Sequence, residues 1–387
     1  MSILIVLHDA SRTGAPPPRV GGLIAAELKK YRDVRVLCLT DGPLRGWLND
    51  RVGAGKVRVL GKNFWGTAER NLAPFAERVR IAGTLLAQEE STIVYVNSFA
   101  ASEFAIAAKL LGKRVILHSH EKSAEIKRLL AHQLTQLDIL TFCDAIVLAA
   151  EDLASDLLAV FGPTPHPTLN FGIAVDVEEI VQLADAGSLR ATTAAGTPLV
   201  PGSRYLVGMV GHASPRKGPD IFLETAKLVP ECDFIWVGDW KSSAAAGNSE
   251  VYRSFRSSRL GNLYVTGGVD NPFKYIKRFE LFFLSSREDP NPLVLAEATV
   301  LQVPIMCFSR STAVTDLLGR NEILLHGTPN AADAARIIKR LASSPDRPAP
   351  NRKPISPAIR DRFDVSRKIN ALIELIDSLQ PTTQPSA

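Results

Sequence analysis

The sequence predicts an α/β protein of two doubly wound parallel-sheet (Rossmann-like) domains that face each other across a cleft. Short apolar runs alternate with helical patterns along both halves of the chain, which indicates repeated strand–helix units. The runs are apolar throughout, a pattern typical of parallel strands covered by helices on both faces. A stretch rich in Ala, Gly, Thr and Pro at 185–204 separates the halves and predicts a domain boundary. In such sheets, ligands bind beyond the carboxyl ends of the strands.

The predicted elements alternate in chain order. In the first half, strands are expected at 3–7, 34–39, 57–60, 93–96, 115–118 and 145–148, with crossover helices such as 21–30 and 100–111 between them. In the second half, strands are expected at 205–210, 234–237, 263–266, 281–284 and 304–308, with helices at 221–229 and 331–341. A last helix at 365–379 has one apolar face, formed by Val365, Ile369, Leu372, Ile373 and Ile376.

These elements predict the domain organisation. An N-terminal domain covers 1–185, a linker 186–204 and a C-terminal domain 205–360. A C-terminal helix covers 361–379, and whether it crosses back to the N-terminal domain is left open at this point. A tail at 380–387 is expected to be disordered.

The composition of the chain excludes several classes of protein. With 387 residues, 46% of them hydrophobic and 22% charged, the chain is neither disordered, nor collagen-like, nor a disulfide-rich miniprotein. The net charge of +5 suits an anionic small ligand or an anionic membrane surface. The sequence has no long basic block of the kind that indicates nucleic-acid binding, so no nucleic-acid partner is expected.

Cysteine usage and the N-terminus point to the cytoplasm. The four cysteines are far apart in the sequence, so they predict buried reduced thiols rather than a metal or redox site. The apolar start of the chain resembles a first strand rather than a signal peptide, and no run is long enough to span a bilayer. A cytoplasmic location is expected, with peripheral contact at the inner face of the membrane left open.

The most informative segment follows the predicted strand at 281–284. Asn291 can cap a helix, which places Glu288 and Asp289 in the loop ahead of that helix and Glu297 inside it. The free amides at a helix start can bind a diphosphate. Carboxylates beside them can accept hydrogen bonds from sugar hydroxyls. An ordinary capped helix with an acidic early turn is the alternative interpretation.

A second segment follows the predicted strand at 205–210. Arg216 and Lys217 would place a planar guanidinium and a point-like ammonium at the carboxyl end of that strand. Two cations in this position can neutralise a diphosphate leaving group. A solvated turn is the alternative interpretation.

Two N-terminal segments also follow predicted strands. Gly14 would let the backbone approach a phosphate closely, but its loop lacks the full dinucleotide fingerprint, which argues against a nicotinamide cofactor. His118 and His120 lie on one face at a strand end, because strand side chains alternate. A metal site would need a third ligand, and since none is evident nearby no metal is expected. A structural role for one histidine is the alternative.

These motifs resemble the glycosyltransferase family 4 enzymes, which have the GT-B fold. That family carries an acidic residue, seven residues and then a Glu in its C-terminal domain. Asp289 and Glu297 have this spacing, with Glu288 one residue out of register. Lys217 matches the Lys of the family's Lys-Gly pair. His212 stands where the family commonly has Arg, so the resemblance assigns Arg216 as the substitute.

The resemblance implies an activity and its substrates. It implies a retaining, metal-independent glycosyltransferase that moves a sugar from a nucleotide-diphosphate sugar to an acceptor hydroxyl, in glycan or cell-surface polysaccharide synthesis. No cofactor is implied, because the nucleotide-diphosphate sugar is a co-substrate. The acceptor would be a glycan or a lipid-linked molecule. The nucleobase, the sugar, the acceptor and the linkage are not indicated.

The resemblance also implies roles for single residues. Lys217, Arg216 and the helix amides near Leu293 and Val294 would stabilise the departing diphosphate. Asp289 would hold the transferred sugar, and Glu297 the ribose. The remaining expected donor contacts are Gly14, Gly267, Glu288 and Asn291. His120 would lie near the transferred sugar and the acceptor. Closure of the two domains would bring His120 and Gly14 over the donor.

Two other functions and one further surface stay open. The chain could be another sugar-nucleotide enzyme of the same fold, an epimerase or a phosphorylase, or a non-catalytic relative that binds nucleotide sugar. The stretch from Lys56 to Arg80 mixes basic residues with Phe64, Trp65 and Phe75, which suits contact with a membrane that bears a lipid-linked acceptor. An ordinary surface helix and loop is the alternative for that stretch.

Overall fold

The chain forms two compact α/β units. The computed structural model describes residues 2–10, 16–61, 74–132, 138–200, 202, 204–240, 249–289, 292–309, 311, 322–344 and 355–379. The first unit comprises Met1–Val175 and Asp364–Ala387, and the second unit comprises Asp176–Phe363. Each unit contains one parallel sheet with helices between its strands, so the predicted fold class is confirmed.

The first unit contains a seven-stranded sheet in which every described pairing is parallel. Its strands are β1 (Ser2–Leu7), β2 (Asp33–Cys38), β3 (Val57–Val59), β4 (Ile93–Asn97), β5 (Arg114–Ser119), β6 (Ala145–Leu148) and β7 (Thr168–Asn170). Its helices include α1 (Pro16–Leu28), α2 (Leu44–Arg51), α3 (Phe75–Ala87), α4 (Ser102–Leu110), α5 (Ser123–His132) and α6 (Leu153–Phe161). The central strands are buried on both faces, which explains why their sequences are apolar throughout.

The second unit repeats this architecture with six parallel strands. Its strands are β8 (Leu206–Val210), β9 (Asp233–Val237), β10 (Leu263–Val265), β11 (Leu281–Leu284), β12 (Ile305–Phe308) and β13 (Glu322–Leu325). Its helices include α7 (Val177–Ala184), α8 (Pro219–Leu228), α9 (Ser249–Ser257), α10 (Phe273–Ile276), α11 (Leu293–Val300), α12 (Ala331–Ser343) and α13 (Pro357–Phe363).

The two sheets share the same winding. The first has the order β3-β2-β1-β4-β5-β6-β7 and the second the order β10-β9-β8-β11-β12-β13. In each, the chain starts at a central strand, winds outward to one edge, and returns to the other side of that central strand. The winding therefore reverses between β1 and β4 and again between β8 and β11. Ligands of doubly wound sheets bind at this reversal, outside the carboxyl ends of the strands.

The last helix, α14 (Val365–Ser378), belongs to the first unit. Its apolar face is buried, and Asp364 caps its start by accepting a hydrogen bond from the Ser366 amide at 3.0 Å. Nη2 of Arg32, which follows α1, donates to both carboxylate oxygens of Asp377 at 2.7 Å. The chain thus returns to its first unit after completing the second.

The two units meet in sequence at different places from the predicted linker at 186–204. The crossings lie between Val175 and Asp176 and between Phe363 and Asp364. The segment near 190 is part of the second unit because Thr192 exchanges backbone hydrogen bonds with Val265 at 2.9 and 3.1 Å. A stretch rich in Ala, Gly and Pro is therefore a surface segment of the second unit.

Candidate functional site

The carboxyl ends of β8 and β11 carry the residues that the sequence singled out for the donor. The turn Pro215–Lys217 follows β8, and residues 285–289 follow β11. The two loops lie against each other: the Ser285 hydroxyl donates to the Lys217 carbonyl at 3.0 Å, and the Arg287 amide donates to the Arg216 carbonyl at 2.8 Å. Gly218 lets them approach this closely, because its backbone has a φ of 64° and a Cβ there would lie 2.2 Å from the Ser285 carbonyl oxygen.

Three charged side chains meet where these loops touch. Asp289 accepts hydrogen bonds from the Lys217 ammonium and, at 3.0 Å, from Nη1 of Arg216. The same Nη1 donates to the Glu288 carbonyl at 2.7 Å. The Asp289 side chain is 4% exposed and that of Lys217 13%, whereas that of Arg216 is 45% exposed. Arg216 therefore forms the open edge of the cluster.

The protonation state of Asp289 follows from its two partners. Burial works against the charged carboxylate, but the Lys217 ammonium and the Arg216 guanidinium outweigh it and hold the pKa of Asp289 below its ordinary value. Two cations and one anion leave the cluster with one net positive charge. That charge lies where the winding of the second sheet reverses, so the cluster is suited to attract an anionic ligand.

A second ion pair fixes the same loops. Arg287 donates to both carboxylate oxygens of Asp220, one at 2.8 Å, and to the Pro215 carbonyl at 3.0 Å. Asp220 lies in the first turn of α8, where its negative charge also suits the helix dipole. This ion pair connects the loops that carry Arg216, Lys217 and Asp289 to the first turn of α8.

Helix α11 begins next to this cluster. Its first residue is Leu293, and Pro292 occupies the N-cap position in an extended conformation without a side-chain cap. Leu293 is buried and Val294 half-buried, while Glu297 is fully buried one turn further on. Glu288 is exposed. The predicted cap Asn291 lies outside the described residues.

Glycines line the carboxyl ends of the neighbouring strands β8, β9 and β10. A Cβ on Gly238 would lie 2.0 Å from the Gly211 carbonyl oxygen, and that oxygen also accepts the indole N–H of Trp236 at 2.8 Å. Gly238 forms an isolated bridge with Gly267, whose φ is 75°. The backbone at Gly267, one of the expected donor contacts, therefore packs closely against the end of β9.

Trp240 is a further candidate site residue at a strand end of the second unit, and sequence reasoning missed it. It follows β9 and packs edge-to-face against Trp236, with 5.4 Å between ring centroids. Its indole N–H is buried and has no hydrogen-bond partner within the described part of the chain. A tryptophan just past a strand end was the available signal, but apolar packing explains most such residues.

In the first unit, two histidines cluster at the carboxyl end of β5. The rings of His118 and His120 lie 3.9 Å apart between centroids, on one face as expected. His118 is fully buried and bonds through Nδ1 to the Tyr95 hydroxyl at 2.8 Å. Burial lowers the pKa of His118 to about 3, and the Lys368 charge adds to this. His118 is therefore a neutral structural residue, while His120 is only half-buried.

Ser98 and Glu121 complete this group, and sequence reasoning missed both. Ser98 has a φ of 116°, a strained conformation for a residue with a Cβ. Its hydroxyl donates to the Glu121 carboxylate, which also accepts the His120 amide at 2.9 Å. Burial raises the pKa of Glu121, and these hydrogen bonds oppose the rise. Strain of this kind is concentrated at ligand sites.

Several predicted features fall elsewhere. Gly14, Phe64 and Trp65 lie outside the described residues. All four cysteines have free, buried thiols. In the described ranges no group of three His, Cys, Asp or Glu side chains is arranged to hold a metal ion. Among the helices that are described, none has the length and apolar character needed to cross a bilayer.

Sequence comparison finds a domain family and a curated relative. Residues 204–344 match the family Glycosyl transferases group 1. An alpha-galactosylglucosyldiacylglycerol synthase of Streptococcus pneumoniae is 27% identical over 107 residues. That stretch is 27% of this chain and spans only 28% of the relative's own length.

Structure comparison matches the whole chain. HepE of Anabaena, solved in complex with UDP and glucose, has a TM-score of 0.74 at 19% identity, with 98% of this chain and 100% of that chain covered. The sucrose-phosphate synthase of Thermosynechococcus elongatus has a TM-score of 0.70 at 14% identity, with 98% and 99% covered. The resemblance to GT-B glycosyltransferases is confirmed, whereas membership of family 4 stays a prediction. The chain therefore has the GT-B fold, and its residues 204–344 are similar to the Glycosyl transferases group 1 family.

Proposed function

We propose that this chain is a retaining glycosyltransferase that moves a sugar from a nucleoside-diphosphate sugar to an acceptor hydroxyl in glycan or cell-surface polysaccharide synthesis. The observation that carries the proposal is the cluster of Arg216, Lys217 and Asp289. It lies at the winding reversal of the second sheet, inside the domain that matches the group 1 glycosyl transferases. A net positive cluster beside a helix start is the chemistry that a diphosphate leaving group requires.

Each donor group has a proposed role. Lys217 and Arg216 neutralise the departing diphosphate together with the first amides of α11, at Leu293 and Val294. Because two side-chain cations supply this charge, the proposed reaction needs no metal ion. Asp289 and Glu297 bind the transferred sugar and the ribose, respectively. Gly267 contacts the nucleobase. The roles proposed for Gly14, Glu288 and Asn291 as donor contacts are carried by the family resemblance alone.

The proposed chemistry conserves the anomeric configuration. The bond between the anomeric carbon and the diphosphate oxygen breaks, and the acceptor oxygen bonds to that carbon on the same face. The acceptor hydroxyl proton passes to the leaving phosphate, so no protein base is assigned. In the first unit, His120 contacts a hydroxyl group of the substrate.

The comparisons suggest which substrates to test first. HepE has been solved with UDP-glucose, which makes UDP-glucose the first donor. The name of the pneumococcal relative denotes a glycosylated diacylglycerol, which supports a lipid-linked acceptor. A peripheral contact with the inner face of the membrane would accompany such an acceptor.

The proposal is tested by product analysis with the purified full chain. A panel of nucleotide sugars is screened by ligand-detected NMR, and each bound donor is then incubated with lipid and glycan acceptors, with and without EDTA. We expect acceptor-dependent release of nucleoside diphosphate, unaffected by EDTA, and a product whose anomeric configuration equals that of the donor. An altered sugar nucleotide without an acceptor would indicate an epimerase. Donor binding without turnover on any acceptor would indicate a non-catalytic relative.

A further inference from the structure

The winding reversal of the first sheet brings three groups together. Asn97 is the last residue of β4, and His118 is paired with it on the adjacent strand β5. His120 lies two residues after His118, directly after the end of β5, and Pro17 lies at the start of α1. The Asn97 side chain bonds to Pro17 and to His120. Its Nδ2 lies 2.7 Å from the Pro17 carbonyl oxygen, and its Oδ1 lies 3.1 Å from Nε2 of His120.

The partner at Pro17 fixes which way the Asn97 amide faces. A backbone carbonyl only accepts hydrogen bonds, so the amide nitrogen of Asn97 must face it, and the amide oxygen must then face His120. Packing leaves little room for the side chain to turn. A Cβ on Gly21 of α1 would lie 2.8 Å from Cγ and 2.9 Å from Nδ2 of Asn97, so the helix backbone lies directly on the amide.

The direction of the Asn97 amide sets the proton position on His120. An amide oxygen cannot donate, so Nε2 of His120 must carry the hydrogen. Burial, together with the neighbouring His118 and His8, lowers the pKa of His120 well below its ordinary value, so the ring is neutral. A neutral ring protonated at Nε2 has a lone pair at Nδ1. Within the described residues, Nδ1 of His120 makes no hydrogen bond.

The ring of His120 is also held from its face. The His118 ring lies 3.9 Å away between centroids, inclined by 36°, and is itself held by the Tyr95 hydroxyl. Because the ring is held at its edge and at its face, its Nδ1 lone pair points in one direction. This direction matters, since a hydrogen bond weakens steeply when the donor–hydrogen–acceptor angle falls below about 120°.

We propose that Asn97 is a positioning residue that holds His120 as the Nε2–H tautomer, so that Nδ1 is a permanent hydrogen-bond acceptor for a ligand hydroxyl group. An acceptor atom of this kind selects a neutral donor such as a sugar hydroxyl. It disfavours a carboxylate or phosphate, which offers only further acceptor oxygens. The assignment of the His120 tautomer does not depend on the proposed function. The identification of the hydroxyl group as part of a sugar substrate does rest on the proposed function.

The tautomer is measured by long-range proton–nitrogen NMR on the full chain labelled with ¹⁵N at histidine, at about pH 8 and without ligand. His120→Gln identifies the His120 signals by their loss. We expect the wild-type ring to carry its hydrogen on Nε2 only. A hydrogen on Nδ1 in the wild type would overturn the proposal, whether or not any variant folds.

Two substitutions of Asn97 separate positioning from folding. Asn97→Asp keeps an acceptor oxygen, so we expect Nε2–H to be retained. Asn97→Leu has a similar shape but no acceptor, so we expect the Nδ1–H tautomer to become populated. An unchanged Nε2–H signal in Asn97→Leu would show that Asn97 does not set the tautomer.

Transfer from UDP-glucose provides the functional readout for folded variants. We expect Asn97→Leu to lower kcat/KM by about tenfold more than Asn97→Asp, since one hydrogen bond of about 1.4 kcal/mol corresponds to tenfold. Altered tautomers with equal kcat/KM in the two variants would overturn the acceptor role of Nδ1. Absence of transfer in the wild type would instead overturn the proposed function, and the tautomer result would stand by itself.

Discussion

Lys217 and Lys227 offer a matched pair for testing the proposed donor site. Both are lysines of the second unit, but Lys217 contacts the buried Asp289, whereas Lys227 is on α8 and pairs with Glu224 one turn away. We expect Lys217→Ala to lower the transfer rate by about 10²- to 10³-fold, the usual effect of removing one preorganised group that stabilises developing negative charge. Lys227→Ala should transfer sugar like the wild type. Equal rates for both variants, measured with folded protein, would remove Lys217 from the mechanism.

Asp289 allows its charge to be separated from its shape. In the ligand-free chain its carboxylate neutralises part of the charge of Lys217 and Arg216, and a diphosphate has to compete with it. We expect Asp289→Asn to bind UDP about tenfold more tightly, because the substitution removes a negative charge next to the ligand while keeping the side-chain shape. Transfer should fall, since the proposed contact to the sugar is weakened. Titration calorimetry with UDP measures the effect, and weaker binding would show that Asp289 serves mainly to position the two cations.

The positions of single residues were predictable where polar groups directly follow apolar strands. Asp289, Arg216, Lys217 and the histidine pair lie at the carboxyl ends of strands as expected, because parallel strands bring those ends to one edge, and their roles in a site stay predictions. The meeting of Asp289 with both cations was not predicted, since it depends on how two loops far apart in sequence pack. Asn97 was missed for the same reason: its role arises from contacts with α1 and with the residue after β5, which the sequence does not reveal.

At the scale of elements, Gly218 determines how the turn after β8 meets the loop after β11. We expect Gly218→Ala to lower the free energy of unfolding by at least about 2 kcal/mol, because the left-handed backbone costs an alanine about 1–2 kcal/mol and its Cβ would clash with the Ser285 carbonyl. Gly261→Ala is the control, since nothing lies within 4 Å of a Cβ there and no positive φ is required. Its effect should stay within about 0.5 kcal/mol. Urea denaturation measures both, and a Gly218→Ala protein as stable as the control would contradict the packing described for these loops.

The strands were predictable to different degrees. Runs such as β4 and β11 are buried along their whole length and stand out as continuous apolar segments. Edge strand β7 was missed because its three residues are exposed or half-exposed and carry no apolar pattern. It exists because β6 offers it a parallel partner and α14 packs beside it. Edge strand β13, the last of the second sheet, was also missed.

At the scale of the whole molecule, the repeated strand order explains why both units have a cluster of polar side chains at the same point of the sheet. Each sheet reverses its winding beside its first strand, and in each the polar groups are found there: Asn97 and the histidines in one, Asp289 with its cations in the other. The similarity belongs to the topology, since the residues differ completely. The fold class could therefore be predicted from periodicity alone. The division of the chain into two units could not, because α14 returns to the first unit through contacts between residues distant in sequence.

Stability against pH tests the buried groups of the first unit together. His118 has its pKa lowered by burial to about 3 from an ordinary value of 6.5, so the unfolded chain binds more protons and stability rises with pH across that interval. Glu103 has its pKa raised by burial to about 7 from 4.5, against the opposing charge of Arg78, so the folded chain binds more protons and stability falls with rising pH. Where both intervals overlap, between 4.5 and 6.5, the two slopes oppose each other.

Removing either group should therefore expose the slope of the other. We expect His118→Gln to lose stability, and Glu103→Gln to gain it, as the pH rises from about 5 to about 6.5, each by up to about 1.4 kcal/mol per pH unit relative to the wild type. Urea denaturation followed by circular dichroism at several pH values gives the three curves. Only differences from the wild-type curve are compared, and the His118→Gln curve also includes a change at His120, because His118 helps to lower the pKa of His120. Parallel curves would mean that neither group keeps its altered pKa in the folded chain, and then the neutral histidine pair beneath the proposed hydroxyl site would lose its physical basis.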